Sequence, residues 1–313
     1  MIEIVFVGNI ASCGMEGFSR HLKSPHRLLT YPCDLAEAEA LVGAPISRRM
    51  IEQAPKLRLV HAAGAGCDGI ALDALNGIPV CNVFHHERAI AEYVMMTTLA
   101  LERNLFQQDR DLRQGLWAGS CVQGPPLVTE LIGKTLGILG FGHIGKEVAR
   151  LARAFEMEVH SLRSGHSRAE LESLLETSDF LVLACPLTPE TRGMIGAAEL
   201  ARMRPTASLI NVARGEVVDE AALYEALRDQ RIRSAAIDVW YQYPKDGVPR
   251  MPSRFPFDKL DNVILTPHSS AWTERVIALR FRDIAANIDR LVAGEPLVNV
   301  VQARSARTSP PPA

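Results

Sequence analysis

The chain has 313 residues, 47% of them hydrophobic and 22% charged, with a formal net charge of −2. That is enough chain for two domains of ordinary size, and its charge balance gives no electrostatic case for nucleic acid or an acidic membrane surface. No apolar run approaches the ~20 residues of a membrane span, and the opening "MIEIVFVGNIA" lacks the basic start and long apolar core of a signal peptide, so a cytoplasmic protein without membrane contact is expected.

Short apolar runs alternate with helical patterns, which predicts βαβ units and parallel sheets. Strands are expected at Glu3 to Val7, Arg27 to Thr30, Val60 to Ala62 and Pro79 to Cys81. Ala89 to Leu112 reads as one long helix with apolar residues on most faces, a pattern suited to burial or to a subunit contact. Next come a strand, Thr135 to Leu139, a glycine turn and a helix with apolar period Ile144, Val148, Leu151, Phe155. Later strands are expected at Glu158 to Leu162, Phe180 to Ala184, Ser208 to Asn211, Ser234 to Ile237 and Val263 to Leu265. A last helix, Glu274 to Ala293, stops at Gly294, and folding back on the N-terminal domain is its simplest way to bury a face. The Ser/Pro-rich tail from Ala303 is expected to be disordered. Six scattered cysteines (Cys13, Cys33, Cys67, Cys81, Cys121, Cys185) form no CxxC and no ligand spacing with histidine; they read as reduced thiols, and no metal site is expected.

The glycine turn carries the most chemistry. Gly140, Gly142 and Gly145 form GxGxxG between a strand and a helix. In that context the first glycine makes the tight turn, the second admits a pyrophosphate to the positive end of the helix, and the third lets helix and strand pack closely. An NAD site needs a carboxylate roughly 20 residues on, for the ribose 2′-hydroxyl. Here Arg163 stands eighteen residues after Gly145, followed by Ser164, His166, Ser167 and Arg168. A guanidinium grips phosphate bidentately, so the loop points to a 2′-phosphate and hence NADPH, with NAD as the alternative.

Several separated segments, "GILGFGHIG", "CPLTPETRGMIG", "LINVARGEVVDEAAL", "AAIDVW" and "DNVILTPHSSAWT", resemble in order and spacing the D-2-hydroxyacid dehydrogenase family. The resemblance implies an α/β protein of two Rossmann-like, doubly wound parallel-sheet domains with the active site in the cleft between them, and usually a homodimer. By it, 1–84 plus 274–303 form a discontinuous flavodoxin-like substrate domain, 85–273 the dinucleotide-binding domain and 304–313 a tail. It implies reduction of a small 2-oxo acid, glyoxylate- or hydroxypyruvate-like, to the D-2-hydroxy acid. Hydride transfer to such an acid needs a cation on its carboxylate and carbonyl and a proton donor for the developing alkoxide. Arg214, after the strand "SLINVA", matches the substrate-binding arginine, and His268, in "TPH", matches the acid/base. "HAAGAGCDGI" matches the loop whose Ala65 and Gly66 amides hold the carboxylate. The cofactor set it implies is Gly140, Phe141, Gly142, His143, Ile144, Gly145, Arg163, Ser164, Cys185, Pro186, Thr191, Val212, Ala213, His268 and Asp238, the last near the nicotinamide carboxamide.

Two departures from the family pattern stand out. The glutamate that pairs with the catalytic histidine is expected five residues past Asp238, where Tyr243 stands. The loop entering the long helix has His85, His86 and Glu87 in place of a Pro-Gly segment. Glu87 could replace the missing carboxylate, His86 and Glu87 could bind substrate, or Glu87 could simply suit a helix start. Two other readings are a dinucleotide-sensing binding protein of the corepressor branch, which retention of Arg214 and His268 opposes, and a dehydrogenase for an atypical hydride donor.

Overall fold

The structure, a computed structural model, describes residues 1–244 and 248–301, so the predicted tail 304–313 lies outside the described residues. It divides into two units, Met1–His86 with the chain from Thr273 onward, and Glu87–Trp272.

In the first unit, β1 (Ile2–Val7), β2 (His26–Thr30), β3 (Ala40–Gly43), β4 (Leu59–His61) and β5 (Val80–Cys81) run parallel in the order β5-β4-β3-β1-β2. Val300–Val301 adds a short antiparallel edge beside β5. Neither β3 nor this edge is among the expected strands. All four β3 residues are buried, so the strand shows no polar alternation. The helix Glu274–Ala293 packs Phe281, Ile284, Ala285 and Ile288 with Phe6 and Phe18 in one core, the Phe18 and Phe281 rings 5.5 Å apart edge to face. Its burial supplies the face that the amphipathic pattern offers. Asn287 Nδ2 donates to the Val298 carbonyl at 2.8 Å, and Asp289 accepts from the Ser24 hydroxyl at 2.7 Å.

In the second unit, β6 (Thr135–Leu139), β7 (Glu158–Leu162), β8 (Phe180–Leu183), β9 (Ser208–Asn211), β10 (Ser234–Ile237) and β11 (Val263–Leu265) are all parallel, in the order β11-β10-β9-β8-β6-β7. The order reverses between β6 and β8, and doubly wound sheets bind ligands beyond the carboxyl ends of the strands at such a switch point. The expected long helix is two: Glu87–Glu102, with Ile90, Ala91, Tyr93 and Val94 buried, and Leu105–Arg113, with no buried residue. Asn104, at φ 51°, breaks it in the left-handed conformation that asparagine tolerates better than most residues. Among the described residues no helix is long and apolar enough to cross a membrane, and no cluster of three or more His, Cys, Asp or Glu could hold a metal ion.

Candidate active site

The glycine turn sits at the switch point. Gly140 has φ 107°, and a Cβ there would lie 2.4 Å from the Cys185 amide nitrogen. A Cβ on Gly145 would meet the Gly140 carbonyl oxygen at 2.4 Å. Gly142 faces open space within 4 Å and begins the helix His143–Ala154 without any side-chain cap. The open, uncapped turn at Gly142 fits a dinucleotide pyrophosphate at the positive end of the helix. Phe141 and Ile144 lean on the core, and His143 is exposed.

Arg163 and Ser164 are exposed just past β7, with the Arg163 guanidinium carbon 5.6 Å from the Phe141 ring centroid. The next residues are committed elsewhere. Ser167 and Glu170 form the capping box of the helix Arg168–Thr177, and Arg168 pairs with Glu199 at 2.7 Å and Glu172 at 2.8 Å. Arg163 and Ser164 lie outside this capping and ion-pair network. Past β8, Cys185 is buried, and loss of solvation raises its thiol pKa to about 11. Pro186 is exposed, while the Thr191 hydroxyl donates to the Pro186 carbonyl at 2.7 Å and so folds the turn. Val212 and Ala213 bury their side chains in two different cores, so their backbone is what they can offer a cofactor.

Arg214 leaves the end of β9 over a turn clipped by buried Asn211. The Asn211 Oδ1 accepts the Ala213 N–H at 3.0 Å, and its Nδ2 donates to the Arg214 carbonyl at 3.0 Å. Sequence reasoning passed over Asn211; the available signal was an amide closing a buried strand just before Arg214. Gly215 lies so close to the next strand's exit that a Cβ would be 2.6 Å from the Trp240 carbonyl oxygen. Gly215→Ala should force apart the segments carrying Arg214 and Tyr243, lowering kcat/KM by more than about tenfold while cofactor binding persists. Steady-state kinetics beside a cofactor titration read this; an unchanged kcat/KM would show that the close approach is unimportant.

His268 follows β11 with φ 57°, a strained conformation for a non-glycine residue and one that surrounding structure must impose. Asp238 imposes it. Its carboxylate is fully buried and accepts from Thr266 Oγ1 at 2.6 Å, Ser269 N–H at 2.8 Å and Ser270 N–H at 3.0 Å. Thr266 is bonded in turn to Tyr93 Oη at 2.7 Å, and its carbonyl accepts from Trp240 Nε1 at 2.8 Å. Most lone pairs of Asp238 thus anchor the His268 loop.

The imidazole reaches solvent on one side. Protein packed around it removes enough water to lower its pKa, Arg214 lowers it further, and Asp238 works the other way. Arg214 and His268 therefore share one electrostatic neighbourhood. Tyr243 Oη lies 3.0 Å from His268 Nδ1 and accepts the Trp240 N–H at 3.1 Å. Desolvation raises the Tyr243 pKa, against the Trp240 amide and the Arg214 charge, so the phenol stays protonated. Tyr243, rather than Glu87, is the described hydrogen-bond partner of His268; Glu87 is the first residue of its helix, where the dipole favours a carboxylate. His86 is buried, its ring stacked on Phe84 at 6.3 Å.

In the first unit, Val83 N–H donates to the Gly64 carbonyl at 3.2 Å and Asn82 Nδ2 to the Ala65 carbonyl at 2.9 Å. A trans peptide points its N–H opposite to its C=O, so the Ala65 and Gly66 amides are turned away from the 82–83 segment. Arg280, nearly buried, donates to the Phe84 carbonyl at 3.3 Å and sets its guanidinium 3.7–3.8 Å from where a Gly64 Cβ would stand. The loop is thus pre-shaped, with a positive charge behind it.

A model of the D-isomer specific 2-hydroxyacid dehydrogenase NAD-binding domain matches residues 95–270. D-3-phosphoglycerate dehydrogenase of Methanocaldococcus jannaschii is 37% identical over 284 residues, 85% of this chain and 52% of that protein, so the chain spans about half the length of this relative. Glyoxylate reductase of Korarchaeum cryptofilum is 35% identical over 285 residues, covering 87% of this chain and 84% of the relative. Among solved structures, an acyclic imino acid reductase in complex with NADPH and D-Arg superposes with a TM-score of 0.79 at 27% identity, over 96% of this chain and 100% of that one. With a glycine cradle at the switch point and Arg214 and His268 beyond the ends of β9 and β11 of the same sheet, the chain belongs to the D-isomer specific 2-hydroxyacid dehydrogenase family, whose members are NAD(P)-dependent oxidoreductases.

Proposed function

We propose that the protein reduces a small 2-oxo acid, glyoxylate- or hydroxypyruvate-like, to the D-2-hydroxy acid with NADPH in the cytoplasm. The observation that carries this reading is the held imidazole of His268, its Nδ1 3.0 Å from Tyr243 Oη on a loop that the Asp238 carboxylate anchors through the Ser269 and Ser270 amides. When bound, the nicotinamide supplies the hydride. The Arg214 guanidinium holds the substrate carboxylate and polarises the carbonyl, and the Ala65 and Gly66 amides add donors to that carboxylate. His268 as imidazolium gives the Nε2 proton to the oxygen as it gains negative charge. Phe141, His143 and Ile144, with Gly140, Gly142 and Gly145, form the pyrophosphate turn. Cys185, Pro186, Thr191, Val212, Ala213 and Asp238 line the rest of the cofactor's path. His86, Glu87 and Tyr243 border the substrate. A panel of 2-oxo acids assayed with NADPH and NADH tests this; no turnover with any of them would remove it.

Arg163 supports the choice of cofactor. It stands exposed where NAD enzymes keep a carboxylate, and Phe141 beside it offers a flat face. NADPH should exceed NADH by at least about tenfold in kcat/KM, or roughly 1.4 kcal/mol, a modest demand on one charge-assisted contact. Arg163→Asp should reduce or reverse the ratio, and equal use of both cofactors by the wild type would refute the assignment. The NADP pool is usually kept reduced, which favours the reductive direction.

A homodimer is part of the same proposal. Leu105, Phe106, Leu112 and Leu116 are each 51–54% exposed along and just past the helix Leu105–Arg113. Clustered apolar exposure of this kind is a mark of an interface. Sedimentation should give twice the chain mass, and Phe106→Glu with Leu112→Glu should halve it; a monomeric wild type would count against it.

A further inference from the structure

His268 lies beside a phenol where its relatives' pattern calls for a carboxylate, and the two groups impose opposite proton arrangements on an imidazole. A carboxylate can only accept, so it holds a proton on Nδ1. A phenol carries one hydrogen and can donate it. Here the Trp240 backbone N–H already donates into the Tyr243 oxygen at 3.1 Å, which leaves the hydroxyl hydrogen to be directed toward His268 Nδ1, 3.0 Å away.

We propose that Tyr243 is a positioning residue that donates to Nδ1 of His268 and so holds the neutral imidazole with its proton on Nε2. This rests on the reading of His268 as the acid/base. Two charged groups bear on the ring besides Tyr243: Arg214 from the end of β9 and Asp238 from the end of β10. Asp238 is engaged with Thr266, Ser269 and Ser270, so it steadies the loop without touching Nδ1.

The proton balance follows. In reduction the imidazolium starts with hydrogens on both nitrogens. Tyr243, 42% exposed, then accepts from Nδ1–H and turns its own hydrogen to water. The Nε2–H bond breaks, the new O–H bond forms on the substrate oxygen, and the ring is left neutral with Nδ1–H. Reprotonation at Nε2 from water restores it. Above the midpoint, the resting ring is instead the neutral Nε2–H form. That form hydrogen-bonds a carbonyl but has no lone pair on Nε2 to take a proton from a 2-hydroxy acid. Oxidation must therefore begin from the minor tautomer, and reduction from a cation that no neighbouring carboxylate supports on Nδ1.

The test reads the tautomer directly. In protein with ¹⁵N-labelled histidine, the His268 resonances are assigned by their loss in His268→Gln. Above the titration midpoint, wild type should show a protonated Nε2 and an unprotonated, hydrogen-bonded Nδ1. Tyr243→Phe should shift the ring toward the other tautomer. Tyr243→Glu should place the proton on Nδ1 and move the fall of the reductive kcat/KM upward by about 1 pH unit or more, the size of a close opposite-charge effect. A merely structural tyrosine would leave the tautomer unchanged in Tyr243→Phe. That result, or a wild-type ring protonated on Nδ1, overturns the proposal. Because the resonances need no turnover, inactivity toward every 2-oxo acid would sink the functional reading without touching this one.

Discussion

Arg214→Ala should lower kcat/KM for a 2-oxo acid by roughly 10²–10³-fold, about 3–4 kcal/mol, because the carboxylate and the developing alkoxide would lose their cation in a partly desolvated site. Arg214→Lys should recover only part of this, since an ammonium cannot reproduce a bidentate fork. NADPH affinity, measured by fluorescence, should hardly change. A second readout separates this role from simple damage. Arg214 holds the His268 pKa down, so its removal should raise that pKa. The surviving reductive activity should then persist to higher pH than in the wild type. Near-normal kcat/KM in Arg214→Ala would show that another group holds the substrate.

His268→Ala should cost about 10²–10⁴-fold in kcat, the usual range for losing a general acid. In the proposed reaction reduction uses the imidazolium, and burial holds its pKa below that of an ordinary histidine. The active fraction is therefore complete at low pH and disappears as pH rises through that lowered pKa. In wild type the fall should come below the ordinary histidine range. In His268→Ala the residual rate should lose this limb altogether, and Glu87→Gln should leave it where it is, because Tyr243 is the described partner of the ring. A profile that moves in Glu87→Gln would restore Glu87 as the missing carboxylate. Full activity in His268→Ala would eliminate His268 as the proton donor.

The local features of the molecule were legible in its sequence wherever chemistry and geometry coincide within a few residues. Gly140, Gly142 and Gly145 could be read because a tight turn, an open approach and a close packing each exclude a side chain. The conformation of Gly140 and the short Cβ distances at Gly140 and Gly145 express the same constraint. The places of Arg214 and His268 could be read because each follows a short strand, at the end where parallel sheets present their ligands. The helix Glu274–Ala293 could be assigned because its amphipathic face needs a partner, and Phe281 and Ile284 find one beside Phe6.

Other features depend on groups far apart in the chain, and only the tertiary structure decided them. β3 is buried along its whole length by elements that its four residues do not name, and Asn104 ends a helix that periodicity alone would continue. Asp238 holds Ser269 and Ser270, thirty-odd positions later, because β10 and β11 lie side by side. Arg168 follows Arg163 closely, yet Glu199 claims it across a different helix, which no spacing rule foretells. The choice between Glu87 and Tyr243 was likewise beyond the sequence. Both can bond an imidazole, and the outcome turns on which oxygen the fold brings to within 3.0 Å of Nδ1. Residue types state what a side chain can do; which partner it does it with is set by distances that only packing determines.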